Sequence, residues 1–159
     1  MRVEAHLLHA DPALIPTVCH WLTAEWPAYY GPGGPGDVAA DVRGYAQHAD
    51  RVPLARVASV RGVPCGFGAL KAEPFATHPH LGPWLGALVV QPVWRGQGVG
   101  AFLIAQLEAD ACRLGFAALY TATATADRLF VRGGWSLLAE AEHQGAPIRI
   151  YEKSLERDR

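Results

Sequence analysis

The stretch Leu85 to Leu114, LGALVVQPVWRGQGVGAFLIAQLEADACRL, decides how the rest of the chain is read. It is an apolar strand (Leu85 to Val90), a glycine-rich turn (Arg95 to Gly100) and a helix that runs to Leu114. Gly96, Gly98 and Gly100 remove side chains at alternate positions, as a backbone that approaches a ligand closely requires. The helix begins inside the turn, so its unpaired N–H groups and positive dipole end face whatever sits there. Strand, bare turn and helix N-terminus together make an anion site whose usual guest is phosphate or pyrophosphate. Arg95 adds positive charge at its start. The helix packs through a stripe of Val99, Leu103, Leu107, Ala111 and Leu114 at three- and four-residue spacing, which is core and carries no information about substrate.

Outward from this stretch, the chain is the size of one ordinary domain, 1–159, able to bury a real core. Half of it is apolar and 18% is charged, which argues against disorder. A net charge of −1 with no Lys/Arg run gives no pull toward nucleic acid. No apolar run has the length of a membrane span. MRVEAHLLHA carries charges and reads as a strand rather than a secretory signal. Cys19, Cys65 and Cys112 form no CxxC pair, so neither a disulfide framework nor a zinc site is indicated, and the cytoplasm is the expected location.

Taken in order, Val3 to Leu8 reads as a strand. Asp11 and Pro12 are N-cap and first helical position of a helix over Ala13 to Glu25, which Pro27 stops by Trp26. Trp26 to Tyr30 is an aromatic cluster, followed by the breaker run GPGGPG (Gly31 to Gly36). That run is either a floppy connection or a mobile substrate loop with aromatic rings at its base. Asp37 caps a second helix to about Ala49. Leu54 to Val60 and Cys65 to Lys71 form an antiparallel hairpin around Arg61–Pro64. EPFATHPHLGPW is a loop. After the long helix, Gly115 is its C′ residue. Then come a strand at Ala117 to Ala122, a short helix at Asp127 to Arg132, and strands at Trp135 to His143 and Pro147 to Leu155 turning at Gln144-Gly145. Glu156 to Arg159 is expected to fray. There is no internal repeat and no interdomain linker. The order is β-α-α-β-β-β-α-β-α-β-β, an α/β (α+β) domain whose sheet the hairpin makes mixed.

Two ligands fit the glycine turn. Gly96-x-Gly98-x-x-Ala101 is a loose dinucleotide fingerprint, but that fold needs an acidic residue ending the next strand. Here the next strand is AALYTATA, with no carboxylate before Asp127. The other ligand is coenzyme A. Arg95-x-x-Gly98-x-Gly100 resembles the Q/R-x-x-G-x-G/A signature of the GNAT N-acyltransferase superfamily. The flanking order is similar too: a strand ending VVQPVW, a long amphipathic helix, LGF, a strand, a short helix ending RGGW and a closing hairpin.

That resemblance implies a mixed central sheet of about six to seven strands with a splayed CoA-binding strand pair and flanking helices. It implies acetyl-CoA as donor, a primary amine on a small molecule or peptide N-terminus as acceptor, no metal, and relatives that often form homodimers. Leu88, Val89 and Val90 would offer backbone groups to the pantetheine arm. Arg95, Gly96, Gln97, Gly98, Val99, Gly100 and Ala101 would wrap the pyrophosphate, and Phe130 would be a further CoA-binding residue. A main-chain N–H from Val89 or Val90 would polarise the thioester carbonyl.

Many relatives carry a tyrosine proton donor at the second position of FYxRxGW, where this chain has Phe130. Three routes are open: transfer without a side-chain acid, another hydroxyl such as Tyr120, or a CoA-binding module with little transferase activity. For the amine's proton the sequence offers Glu73, His78, His80 and His143. His78-x-His80 lacks a third metal ligand nearby in sequence. Glu25, Trp26, Tyr29 and Tyr30 are the candidates for the acceptor pocket.

Overall fold

The computed structural model describes residues 1–73 and 75–155. Glu156 to Arg159 lie outside them. β1 (Val3–Leu7) leads through two 3-10 turns to α1 (Ile15–Glu25), α2 (Pro27–Tyr30) and α3 (Val38–Tyr45). β2 (Leu54–Val60), β3 (Val63–Lys71) and β4 (Trp84–Val90) precede α4 (Val99–Arg113). β5 (Ala118–Thr123), α5 (Asp127–Arg132), β6 (Ser136–His143) and β7 (Ala146–Ser154) complete the order. The strands form one seven-stranded sheet, β1-β2-β3-β4-β5-β7-β6. Neighbours are antiparallel throughout except β4 and β5, which run parallel.

Both faces of the sheet are covered, which is why β2 and β3 read as near-continuous apolar runs. On one face Val18, Trp21, Leu22, Val42 and Tyr45 from α1 and α3 pack on Val57, Phe67, Ala69 and Val89. On the other, the predicted stripe of α4 is buried, with Leu103, Leu107 and Ala111 fully enclosed. Asp110 on α4 is 2% exposed and accepts Arg56 Nε at 2.5 Å and Nη2 at 2.8 Å, tying the helix to β2.

Several local expectations shift. Asp11 makes no side-chain cap; its carboxylate lies 3.7 Å from His6 Nε2, and Pro12–Leu14 is a 3-10 turn before α1. Trp26 leaves helical geometry at φ −124°, as Pro27 dictates, but Pro27–Tyr30 winds one further turn. Asp37 does cap α3, accepting Ala40 N–H at 3.0 Å, yet the helix stops at Tyr45, just after the weak helix former Gly44. The hairpin turn is compressed to Arg61-Gly62, both at positive φ (52° and 77°), so β3 starts at Val63 rather than Cys65. The GPGGPG run is neither floppy nor free. Gly34 N–H donates to Gly31 O at 3.0 Å and Gly36 N–H to Tyr29 O at 2.8 Å. A side chain at Gly34 would collide with the Tyr29 carbonyl and one at Gly36 with the Tyr29 ring, so the run is folded onto α2.

Candidate acyl-CoA site between the parting strands

β4 and β5 pair at Trp84↔Tyr120 and Leu85↔Thr121 and nowhere beyond. At the apex, Thr121 Oγ1 donates to Leu85 O at 2.9 Å, a side-chain bond that closes the last point of contact. From Gly86 onward the β5-facing edge of β4 has no strand partner. The cause is a bulge. The register with β3 passes from Ala69↔Gly86 to Phe67↔Val89, three residues of β4 against two of β3, and Ala87 sits at φ 52°. A bulge bends its strand and re-aims the local backbone. The segment Leu88–Val90 thus lies on a free edge. Val89 packs its side chain toward α1 and α3, while Leu88 and Val90 pack toward α4.

The free edge leads to the glycine turn. Gly96 and Gly98 hold φ 73° and 86°, a left-handed region where a Cβ is strained. Gly98 is the residue before α4, and Phe102 N–H donates to its carbonyl at 3.0 Å. The N–H groups of Val99, Gly100 and Ala101 therefore have no partner within the helix and point out of its open end. Gln97 Nε2 donates to Val93 O at 3.1 Å and keeps its side chain off that end. Arg95, the positive charge expected at the start of the turn, also has partners within the protein. Its Nε donates to Val90 O at 2.9 Å and its Nη2 to Glu25 Oε2 at 3.1 Å, so it fastens α1 to the end of β4. Glu25, expected among the acceptor residues, is committed to that pair. The second wall of the wedge is α5, whose Leu129 comes within 3.2 Å of a Cβ placed on Gly100.

Phe130 is 2% exposed. Its ring meets Trp135 edge-on at 5.1 Å and stacks over Tyr151 at 6.4 Å between centroids. In this fold it is core between α5 and β7 rather than an open lining. Beneath it lies a polar cluster absent from the sequence reading: Asp127 accepts from Arg149 through both oxygens and from Tyr151 Oη at 2.7 Å. The Arg149 bond first, then that of Tyr151, hold the Asp127 carboxyl well below the ordinary carboxylate range, and the Asp127 bond raises the Tyr151 phenol.

The opposite mouth of the wedge collects the remaining residues. Rings run from His143 to Phe75 (5.2 Å), Phe75 to Trp84 (5.4 Å) and Trp84 to Tyr120 (5.7 Å). A tyrosine phenol holds its proton at neutral pH in any case, and burial, then Glu152, push that of Tyr120 up further. Across from this row, Tyr29 and Tyr30 meet edge-on at 4.8 Å and Tyr30 Oη donates to Asp41 Oδ2 at 2.7 Å. Burial chiefly, with Asp41 and Glu73 adding to it, raises the Tyr45 phenol, while Glu73 itself is exposed on the loop before β4. Trp26 is exposed at the base of α2. The His78 and His80 rings lie tilted at 6.1 Å, with Thr77 Oγ1 2.8 Å from His78 Nδ1, and the His78 main-chain N–H donates to Phe75 O at 2.9 Å, which ties this loop to the ring row. Among the described residues no three His, Cys, Asp or Glu side chains converge on a metal position.

A sheet opened by a bulge between two parallel strands, leading to a bare helix N-terminus, is the architecture of an acyl-CoA-dependent transferase. A linear dinucleotide wedge of this kind would need an acidic ribose partner that β5 lacks. The chain belongs to the acetyltransferase (GNAT) family, which it matches over residues 15–132. No curated protein matches it by sequence. Its fold is similar to that of an aminoglycoside 6'-N-acetyltransferase complexed with coenzyme A (TM-score 0.78, 16% identity, covering 100% of this chain and 99% of that one). It is similar also to the aminoglycoside 6'-N-acetyltransferase from Enterococcus faecium (TM-score 0.75, 16% identity, 100% and 99%). A third is yncA from Salmonella typhimurium, solved with its cofactor acetyl-CoA (TM-score 0.73, 17% identity, 100% and 97%). At these identities the likeness concerns the fold. No described helix is long and apolar enough to cross a membrane.

Proposed function

We propose that residues 1–159 act as one cytoplasmic N-acetyltransferase domain that moves an acetyl group directly from acetyl-CoA to a primary amine. The observation that carries this is the unpaired edge of β4 from Gly86, followed after the 3-10 turn Pro92–Trp94 and the glycine turn by the open end of α4. Acetyl-CoA supplies an acetyl group on a thioester whose sulfur leaves as a thiol. The N–H groups of Val99, Gly100 and Ala101 receive the pyrophosphate, and a main-chain N–H in Leu88–Val90 polarises the carbonyl. As the N–C bond forms, the C–S bond breaks, the amine gives up a proton and the sulfur takes one.

Phe130 has no proton to give and its ring is enclosed. Tyr120, whose phenol is protonated at neutral pH, stands where the strands part and is the proposed donor. Glu73, exposed on the loop before β4, accepts the amine's proton through water. Release of free thiol from acetyl-CoA in the presence of a broad amine panel tests the reading. Turnover with at least one amine supports it, and Tyr120→Phe then lowers kcat more than KM. The second reading is a CoA-binding module with little transfer, favoured by Phe130; it prevails if CoA raises the melting temperature but no amine releases thiol above hydrolysis.

A further inference from the structure

Lys71 ends β3 directly opposite Trp84 on the acceptor face of the sheet. Its stem does not extend into solvent. It leans along β4 and lies over Gly86, where a Cβ would stand 2.9 Å from Lys71 Cδ and 3.9 Å from Nζ. Gly86 is thus the bare position that lets a lysine lie flat on the strand, and it is also where β4 and β5 part and the bulge begins. Lys71 is partly buried as a residue, its stem lying on Gly86, and no carboxylate or carbonyl among the described residues bonds its Nζ. Arg43, Arg51, Arg61, Arg128 and Arg132, which also have no ion-pair partner among the described residues, are all exposed. A cation set beside apolar surface with no counter-charge among the described residues is open to a charge-assisted bond from an anionic group.

Beside it stands the apolar row Trp84, Phe75 and Tyr120, joined to Lys71 through the Trp84 pairing. A simple diamine or polycation would set a second ammonium against Lys71 and be repelled. An acid group fits. In an α-amino acid the nitrogen is two bonds from the carboxylate carbon, so a carboxylate held at Lys71 Nζ puts the amine beside the bulged backbone of Gly86–Leu88.

We propose that the acceptor is an amino-acid-type amine, its carboxylate paired with Lys71 and its apolar side chain laid on the Trp84–Phe75–Tyr120 row. This rests on the transferase reading above and deepens it. Matched probes separate the terms: L-phenylalanine against 2-phenylethylamine, and L-tryptophan against tryptamine, in thiol-release assays with wild type, Lys71→Met and Lys71→Arg. The wild type is expected to prefer the acid-bearing member of each pair by about tenfold or more in kcat/KM, mostly through KM, as one charge-assisted bond supplies. Lys71→Met should bring that ratio toward one and Lys71→Arg should keep part of it. Equal turnover of both members by the wild type overturns the proposal and leaves the transferase reading standing, as does a preference that survives Lys71→Met. Should no amine release thiol, the transferase reading falls. The melting temperature of the CoA-loaded protein then decides the site: a rise with L-phenylalanine that Lys71→Met abolishes upholds it, and no such rise overturns it.

Discussion

Gly98 occupies φ 86° with open space where a Cβ would be, so only backbone strain opposes a side chain there. Gly98→Ala is expected to cost about 1–2 kcal/mol in that left-handed conformation. It should also misalign the N–H groups of Val99 to Ala101, so calorimetric titration with CoA should show weaker binding than the loss in stability explains. Phe130 behaves differently. Enclosed by Trp135 and Tyr151, it offers a new hydroxyl no water. Phe130→Tyr is expected to lower stability by about 1–3 kcal/mol in urea unfolding without raising turnover. A large gain in kcat would show instead that a missing acid limits transfer.

At the scale of elements, the wedge depends on how two parallel strands stop pairing. Thr121 Oγ1 adds a side-chain bond to Leu85 O at the last ladder pair, in a site 2% exposed. Thr121→Val keeps the shape but removes the side-chain bond to that carbonyl, and should cost about 0.5–1.5 kcal/mol. The weakened apex should also raise the KM for acetyl-CoA in steady-state assays. α4 is positioned against β2 by the pair of Arg56 with buried Asp110, which Arg113 Nη2 also reaches at 3.2 Å. Removing one partner of such a pair strands the other charge, so Asp110→Ala is expected to cost about 3–5 kcal/mol by denaturant titration.

For the whole molecule, α5 is held to the β7 end of the sheet by Asp127, Arg149 and Tyr151, with Lys153 Nζ also reaching Glu108 on α4 at 2.9 Å. The Asp127 carboxyl is held below its ordinary value, so its contribution is complete above the unfolded pKa near ~4 and is lost as pH falls through the depressed folded value. Thermal unfolding from pH 7 to pH 3 should show wild type above Asp127→Asn at neutral pH, with the gap narrowing below about pH 4. A gap that stays constant would mean the asparagine fails for some reason other than charge.

By itself, the sequence determined the order of elements, the mixed character of the sheet, the anion turn and the family resemblance, because these rest on local rules. Periodicity marks the buried stripe of α4, positive-φ glycine marks the turn, and Pro27 and Gly115 stop their helices wherever the chain later goes. It could not reveal the bulge at Ala87, since a non-glycine residue in a left-handed conformation carries no compositional mark. Nor could it assign Arg95 to Glu25, 70 residues away, Asp127 to Arg149 and Tyr151, or Lys71 to the bare surface of Gly86. Those pairings exist because the sheet sets β3 beside β4 and β7 beside β5. Only the tertiary structure decided that the tyrosine position of the resemblance, Phe130, is core and that Lys71 lies along Gly86 with no counter-charge among the described residues, since burial and counter-charge are properties of neighbours distant in the chain.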